Sequence, residues 1–94
     1  MTLSELRFIV ALAQEKNFRK AAEKSFVSQP ALSLGIKKIE QELNLSLFER
    51  SVGAGSNVKI TPIGQKIIDQ ATIVLEEAAK IKDLSVNRNK QLEL

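Results

Sequence analysis

Read at about 100° per residue, the segment that follows Ser28 separates into two faces. Leu32, Ile36, Ile39 and Leu43 fall on one side, and Pro30, Ser33, Leu34 and Lys37 lie roughly opposite, with Gln29 exposed by its place in the first turn. The pattern predicts a helix over about 28–43 whose inner face packs and whose outer face is free to touch a partner. Ser28 is a good N-cap, and Pro30 is tolerated in the first turn, where a missing N–H has no intrahelical acceptor to lose. The helical period stops at Asn44.

Upstream, Asn17 can cap a short helix over Phe18 to Lys24, in which Ala21 and Ala22 are small enough for the next helix to approach closely. Ser25-Phe26-Val27 then makes the turn, without the frequent glycine, and Phe26 and Val27 are predicted to pin the corner from below. The chain begins with Thr2-Leu3-Ser4-Glu5, a capping box in which each side chain can satisfy the other residue's backbone N–H. Leu3, Leu6, Val10 and Ala13 repeat at spacings of three and four behind it, and Ile9 and Leu12 widen the stripe. These signals predict three helices, the second and third forming a helix-turn-helix. Two amphipathic helices of an ordinary bundle would satisfy the same spacing.

After Asn44, the run Leu45 to Arg50 begins with alternating apolar positions and reads as a short strand, Ser51 to Asn57 as a flexible loop, and Val58-Lys59-Ile60 as the returning strand of a two-stranded wing. Thr61-Pro62 supplies an N-cap and the residue favoured at the first helical position. A helix of more than twenty residues follows. Its Ile67, Ala71, Val74, Ala78 and Ile81 step by four, three, four and three, a coiled-coil seam that Ile68 and Leu75 extend to one side. That is more apolar surface than a helix needs to rest on a small core, so it predicts a second copy. A helix buried wholly against its own domain is the alternative. Beyond Leu84 the period is lost, which predicts a frayed tail or linker. The fold class expected is mainly α: a winged helix-turn-helix, with a three-helix core and two-stranded wing over 1–60, a linker and dimerisation helix over 61–84, and a tail or linker start over 85–94.

Composition removes several functions. Ninety-four residues make one domain, and 44% hydrophobic residues are ample for a small core. With no Cys and no His, disulfides, thiolate or imidazole metal sites and Cys–His or Ser–His nucleophile pairs cannot be built. The Gly53-Ala54-Gly55 stretch is followed by neither a helix nor Gly-Lys-Ser or Gly-Lys-Thr, so it is not a phosphate-cradling loop. The chain is expected to be no enzyme and to hold no cofactor or metal. No apolar run approaches the roughly 20 residues that span a bilayer, and the expectation is a cytoplasmic protein without membrane contact.

The net charge of +3 matters less than its placement. From Lys16 to Lys38 there are six basic residues (Lys16, Arg19, Lys20, Lys24, Lys37 and Lys38) against one acid, Glu23, a local net of +5. From Ile67 onward four basic residues face five acids. A positive helix-turn-helix points to phosphates. The N-terminal end of a recognition helix enters the major groove, where Gln can bond an adenine edge and Ser a base or a phosphate. Gln29 and Ser33 are therefore the candidate base contacts, and Ser28, Arg19, Lys37, Lys38, Arg50 and Lys59 the candidates for backbone or minor groove; Pro30 and Leu34 share the outer face with them. Ile67, Ala71, Val74, Leu75, Ala78 and Ile81 are the candidate dimer contacts. A helical protein-interaction module, its basic patch serving solubility alone, is the rival reading.

The order of parts resembles the N-terminal DNA-binding domain of LysR-type transcriptional regulators over about Met1 to Leu84. The resemblance is carried by Phe18, Ala21-Ala22, Val27 to Ser33, Ile36 to Glu40, Leu43, Leu47 to Arg50 and Thr61 to Gly64. Met1-Thr2-Leu3, Leu6 to Ala13 and Phe26 to Pro30 look most like the peroxide-sensing OxyR group of that family. The resemblance implies a bacterial regulator that dimerises through its linker helix and binds an interrupted palindromic operator in double-stranded DNA, with Gln29, Pro30 and Ser33 on bases and Arg50 on the backbone or minor groove. It also implies an effector domain that this chain does not contain. Leu34 stands where many relatives carry a polar or basic residue, so readout there is apolar, toward a thymine methyl, or absent. The wing's Gly53-Ala54-Gly55-Ser56 stretch looks longer than usual.

Overall fold

A computed structural model describes residues 1–50 and 57–92. Four helices and one hairpin follow in the order α1 (Leu3–Glu15), α2 (Phe18–Lys24), α3 (Gln29–Leu43), β1 (Phe48–Arg50), β2 (Val58–Ile60) and α4 (Pro62–Leu92). The loop expected over Ser51 to Asn57, with its glycine stretch, lies outside the described residues except for Asn57.

The helix starts form as their sequences require. Thr2 Oγ1 accepts from Glu5 N at 3.1 Å while Glu5 Oε1 accepts from Thr2 N at 3.1 Å, closing the capping box. Asn17 and Ser28 cap α2 and α3 by accepting from Lys20 N (3.0 Å) and Ala31 N (3.2 Å). Lys16 and Asn44 end α1 and α3 in the left-handed region, with φ of 56° and 55°. The Met1 amino group donates to Glu42 Oε1 at 2.7 Å, and that hydrogen bond raises its pKa above the ordinary 8.0.

The core lies where α1, α2, α3 and the first half of α4 meet. Ile9, Leu12, Leu32, Ile39 and Leu47 are its largest fully buried side chains. Two residues expected only to widen the α1 stripe, Ile9 and Leu12, are thus its centre, whereas Leu3 is exposed and Val10 and Ala13 are half-buried. The reason is that α1 packs against α2, α3 and α4, so its buried arc is set by three neighbours at once. On α3 the expected inner face, Leu32, Ile36, Ile39 and Leu43, is the one that packs. Gly35 joins it: a Cβ there would stand 2.6 Å from Phe8 Cδ2.

Three expectations are corrected. Phe26 does not pin the corner: it has a φ of 57° and is 96% exposed, and Val27 alone packs inward. The strand expected from Leu45 begins only at Phe48, because the Leu47 backbone is engaged elsewhere, its N–H by a Glu40 carboxylate oxygen at 2.7 Å and its carbonyl by Thr61 N at 3.0 Å. The helix expected to lose order after Leu84 runs on to Leu92. No glycine or proline interrupts 85–92, and Arg, Lys, Gln and Leu are good helix formers, so loss of apolar period there does not end the helix.

The hairpin pairs antiparallel with Phe48 opposite Ile60, Glu49 opposite Lys59 and Arg50 opposite Val58. Its second strand is fastened to the α1–α2 corner by Val58 N donating to the Lys16 carbonyl at 3.1 Å and by an antiparallel bridge between Asn17 and Asn57. Thr61 is buried and makes the hinge into α4: its hydroxyl donates to the Ser46 carbonyl at 2.7 Å and accepts from Gly64 N at 2.9 Å.

Candidate nucleic-acid interface

Once its inner face is packed, α3 leaves one open row. Pro30, Leu34 and Lys37 are exposed along it, Ser33 is half-buried beside them, and Ser28 and Gln29 are exposed at the N-terminal end. Leu34 is 55% exposed, an apolar side chain displayed rather than packed. The Ser28 hydroxyl accepts from Ala31 N and keeps its own proton to donate outward.

An open cleft of about 510 Å³ runs beside this row, lined by Pro30, Ser33, Leu34 and Lys37 from α3 and by Phe18, Phe48 and Arg50. Arg50 sits with its guanidinium carbon 4.6 Å from the centroid of the Phe18 ring, a cation–π distance. The hairpin therefore does not hold Arg50 at a free tip. It lays the cation against the start of α2, next to the N-terminal half of α3.

Glu40 completes the arrangement and was not singled out by sequence reasoning. One carboxylate oxygen accepts from both Leu47 N (2.7 Å) and Phe48 N (3.4 Å), tying α3 to the entry of the wing. The signal was available: an acid on the edge of the buried face, shortly before a loop whose first N–H groups need acceptors.

The remaining candidates are not gathered there. Arg19 is exposed and pairs with Glu23 at 3.0 Å, one turn along α2. Lys38 is exposed one residue beyond Lys37, about 100° further round the helix. Lys59, opposite Glu49, falls on the other face of the hairpin from Arg50, because successive strand residues alternate sides.

The expected seam divides. Ala71 is 3% exposed within the domain's own core, and Ile67, Ile68 and Leu75 pack with it. Ala71 is thereby removed from any seam offered to a second copy. Ile73, Val74, Ile81 and Leu84 are exposed, Ile81 to 72%, and Ala78 is half-buried between them. The α4 helix projects from the core in a molecule 61 Å long and 25 by 18 Å across. No helix among the described residues is long and apolar enough to cross a membrane.

A short second helix, a tight turn, an α3 presenting its N-terminal end, and an antiparallel hairpin beside it define a winged helix-turn-helix domain. The chain belongs to the lysR family of bacterial regulatory helix-turn-helix proteins, whose profile matches residues 3–65. It is 39% identical over 92 residues to a hydrogen peroxide-inducible genes activator of Haemophilus influenzae, covering 98% of this chain and 30% of that protein. It is 40% identical over 85 residues to the DNA-binding transcriptional dual regulator OxyR of Escherichia coli, covering 90% and 27%. Among solved structures, full-length OxyR of Pseudomonas aeruginosa superposes with a TM-score of 0.85 at 52% identity, over 93% of this chain and 28% of that one. The DNA-binding domain of BenM in complex with benA site 1 DNA superposes with a TM-score of 0.83 at 34% identity, over 95% and 97%. The chain thus spans less than a third of the length of the curated relatives named here.

Proposed function

We propose that this chain is the sequence-specific, double-stranded DNA-binding part of a bacterial transcriptional regulator of the OxyR-like type. In this reading α3 lies in the major groove, with Gln29, Pro30, Ser33 and Leu34 on base edges, Leu34 toward a thymine methyl. Ser28, Lys37, Lys38 and Arg50 hold phosphates or the minor-groove edge, as do Lys59 and Arg19, the latter after exchanging its exposed Glu23 partner for a phosphate. Two copies pair through Val74, Ala78, Ile81 and the adjoining exposed face of α4 and read the halves of an interrupted palindrome. Chemistry on a substrate has no part in this reading, and its place is the bacterial cytoplasm, where the operator is.

The observation that carries the reading is the open α3 row with Arg50 fixed beside it on Phe18. The likeness to a domain solved on its own DNA supports it over nearly the full length of both chains. The experiment is selection of bound sites from random duplexes, followed by titration at rising salt. The reading requires an enriched half-site, a fixed spacing between two copies of it, and an affinity that falls steeply with salt. No enrichment and no salt dependence would leave a protein-interaction module.

A further inference from the structure

Lys59 and two lysines that play no part in the α3 interface meet in a second place. Lys16 ends α1, Lys20 lies in the first turn of α2 and Lys59 is the middle residue of β2. All three are exposed and line one open cleft of about 450 Å³ with Asn17 and Asn57. The cleft is built by backbone: Val58 N to the Lys16 carbonyl at 3.1 Å, and the Asn17–Asn57 bridge, reinforced by Asn17 Nδ2 donating to Asn57 Oδ1 at 3.3 Å.

The charges there are unbalanced. Three carboxylates are near, two of them already engaged: Glu15, which lines the cleft and pairs with Lys24 at 3.6 Å, Glu23, three residues on from Lys20 in α2 and paired with Arg19 at 3.0 Å, and Glu49, opposite Lys59 in the hairpin. Among the described residues none of the three lysines is in an ion pair. Three like charges from three separate elements repel one another, and an anion placed among them removes that repulsion. The cleft shares no residue with the one beside α3, yet the two adjoin, through Asn17 next to Phe18 and Val58 opposite Arg50.

We propose that Lys16, Lys20 and Lys59 form a second phosphate anchor, which holds the DNA backbone outside the stretch that α3 reads. The proposal rests on α3 occupying the major groove. The anchor adds affinity and footprint without adding sequence information, since phosphates are the same at every base pair.

The test uses the 94-residue chain and two duplexes, one ending at the selected site and one extended by a helical turn at each end. The variant is Lys16→Asn, Lys20→Ala and Lys59→Ala together, asparagine being chosen because Lys16 has a φ of 56°. A Lys20→Ala, Lys59→Ala double variant leaves the α1 terminus untouched. At about 0.9 counterion per phosphate, the salt slope of the wild-type chain is steeper on the long duplex. The triple variant loses up to about three such units per bound copy there and the double variant up to about two, with discrimination between operator and random DNA unchanged. Inorganic phosphate added at constant ionic strength leaves the difference in place.

Equal slopes for wild type and variants on the long duplex, with salt-dependent wild-type binding intact, would overturn the anchor alone. A difference abolished by millimolar phosphate would give the cleft to a free anion and overturn it too. A wild-type chain that binds neither duplex would overturn the major-groove reading itself.

Discussion

Arg50, the last residue of β1, lies with its guanidinium carbon 4.6 Å from the centre of the Phe18 ring, at the start of α2. The contact joins the hairpin to the helix-turn-helix and aims a fixed charge along the α3 row. Arg50→Ala therefore weakens binding to every sequence and lowers the salt slope by about one. Phe18→Leu keeps most of the burial but loosens the cation: affinity falls while the slope is retained. Anisotropy titrations at several salt concentrations separate the two. An unchanged slope for Arg50→Ala would remove Arg50 from the phosphate contacts.

Base readout predicts the opposite signature. Gln29→Ala reduces the preference for operator over random DNA by about 1–3 kcal/mol, with a smaller loss for Ser33→Ala. Competition binding measures it. Equal losses on both DNAs would make these side chains positioning groups.

Most of this site was legible because it depends on short-range chemistry. Ser28, Pro30 and Asn44 fix where α3 starts and stops, and the spacing of Leu32, Ile36, Ile39 and Leu43 fixes which face is hidden, leaving Pro30, Leu34 and Lys37 outward. What the sequence hid depends on contacts between distant segments. Periodicity on α4 could not distinguish Ala71, covered by the domain, from Ile81, left open, since both sit on one apolar arc. Nor could it show that Lys59 belongs with Lys16 and Lys20 rather than with Arg50, because that follows from the strand register and the Asn17–Asn57 bridge.

The same distant packing makes Gly64 irreplaceable. A Cβ at Gly64 would collide with the Leu47 carbonyl oxygen, and would lie 2.8 Å from Thr61 Oγ1 and 3.0 Å from the Leu47 carbonyl carbon. These are mostly backbone atoms held by Thr61 and Glu40 hydrogen bonds, so they cannot turn away. Gly64→Ala is expected to cost about 1–3 kcal/mol or more, read as a lower denaturation midpoint. Gly35→Ala meets the edge of the Phe8 ring instead, a side chain that can shift, and costs less. A reversed order would mean that the α4 start is not clamped against Leu47.

The division of α4 gives paired outcomes for two charge insertions. Ala71→Glu places a carboxylate in the domain's own core and destabilises each copy, since an unpaired buried charge costs several kcal/mol. Ile81→Glu touches no core residue and leaves the domain folded, but opposes pairing of two exposed α4 faces. Sedimentation with circular dichroism should find folded monomers for Ile81→Glu and loss of folded protein for Ala71→Glu. A dimeric Ile81→Glu chain would place the pairing surface elsewhere.

Phe26 predicts a gain rather than a loss. A bulky residue in the left-handed region crowds its Cβ against the backbone, at a cost of about 1–2 kcal/mol, and burial commonly offsets such strain. Here it does not, because Phe26 is 96% exposed at a φ of 57°. Asparagine tolerates that conformation, so Phe26→Asn is expected to stabilise the domain by about 1 kcal/mol. Glycine relieves the same strain, but it also loosens the unfolded chain, so Phe26→Gly should stabilise less. Denaturant unfolding reads both as midpoints shifted at constant slope. Phe26 lines a cleft with Phe8, Val10 and Leu75, away from the α3 row, so operator affinity stays the same in either variant. A destabilised Phe26→Asn would show that the ring contributes packing within the domain, and a weakened operator complex would bring the turn itself onto DNA.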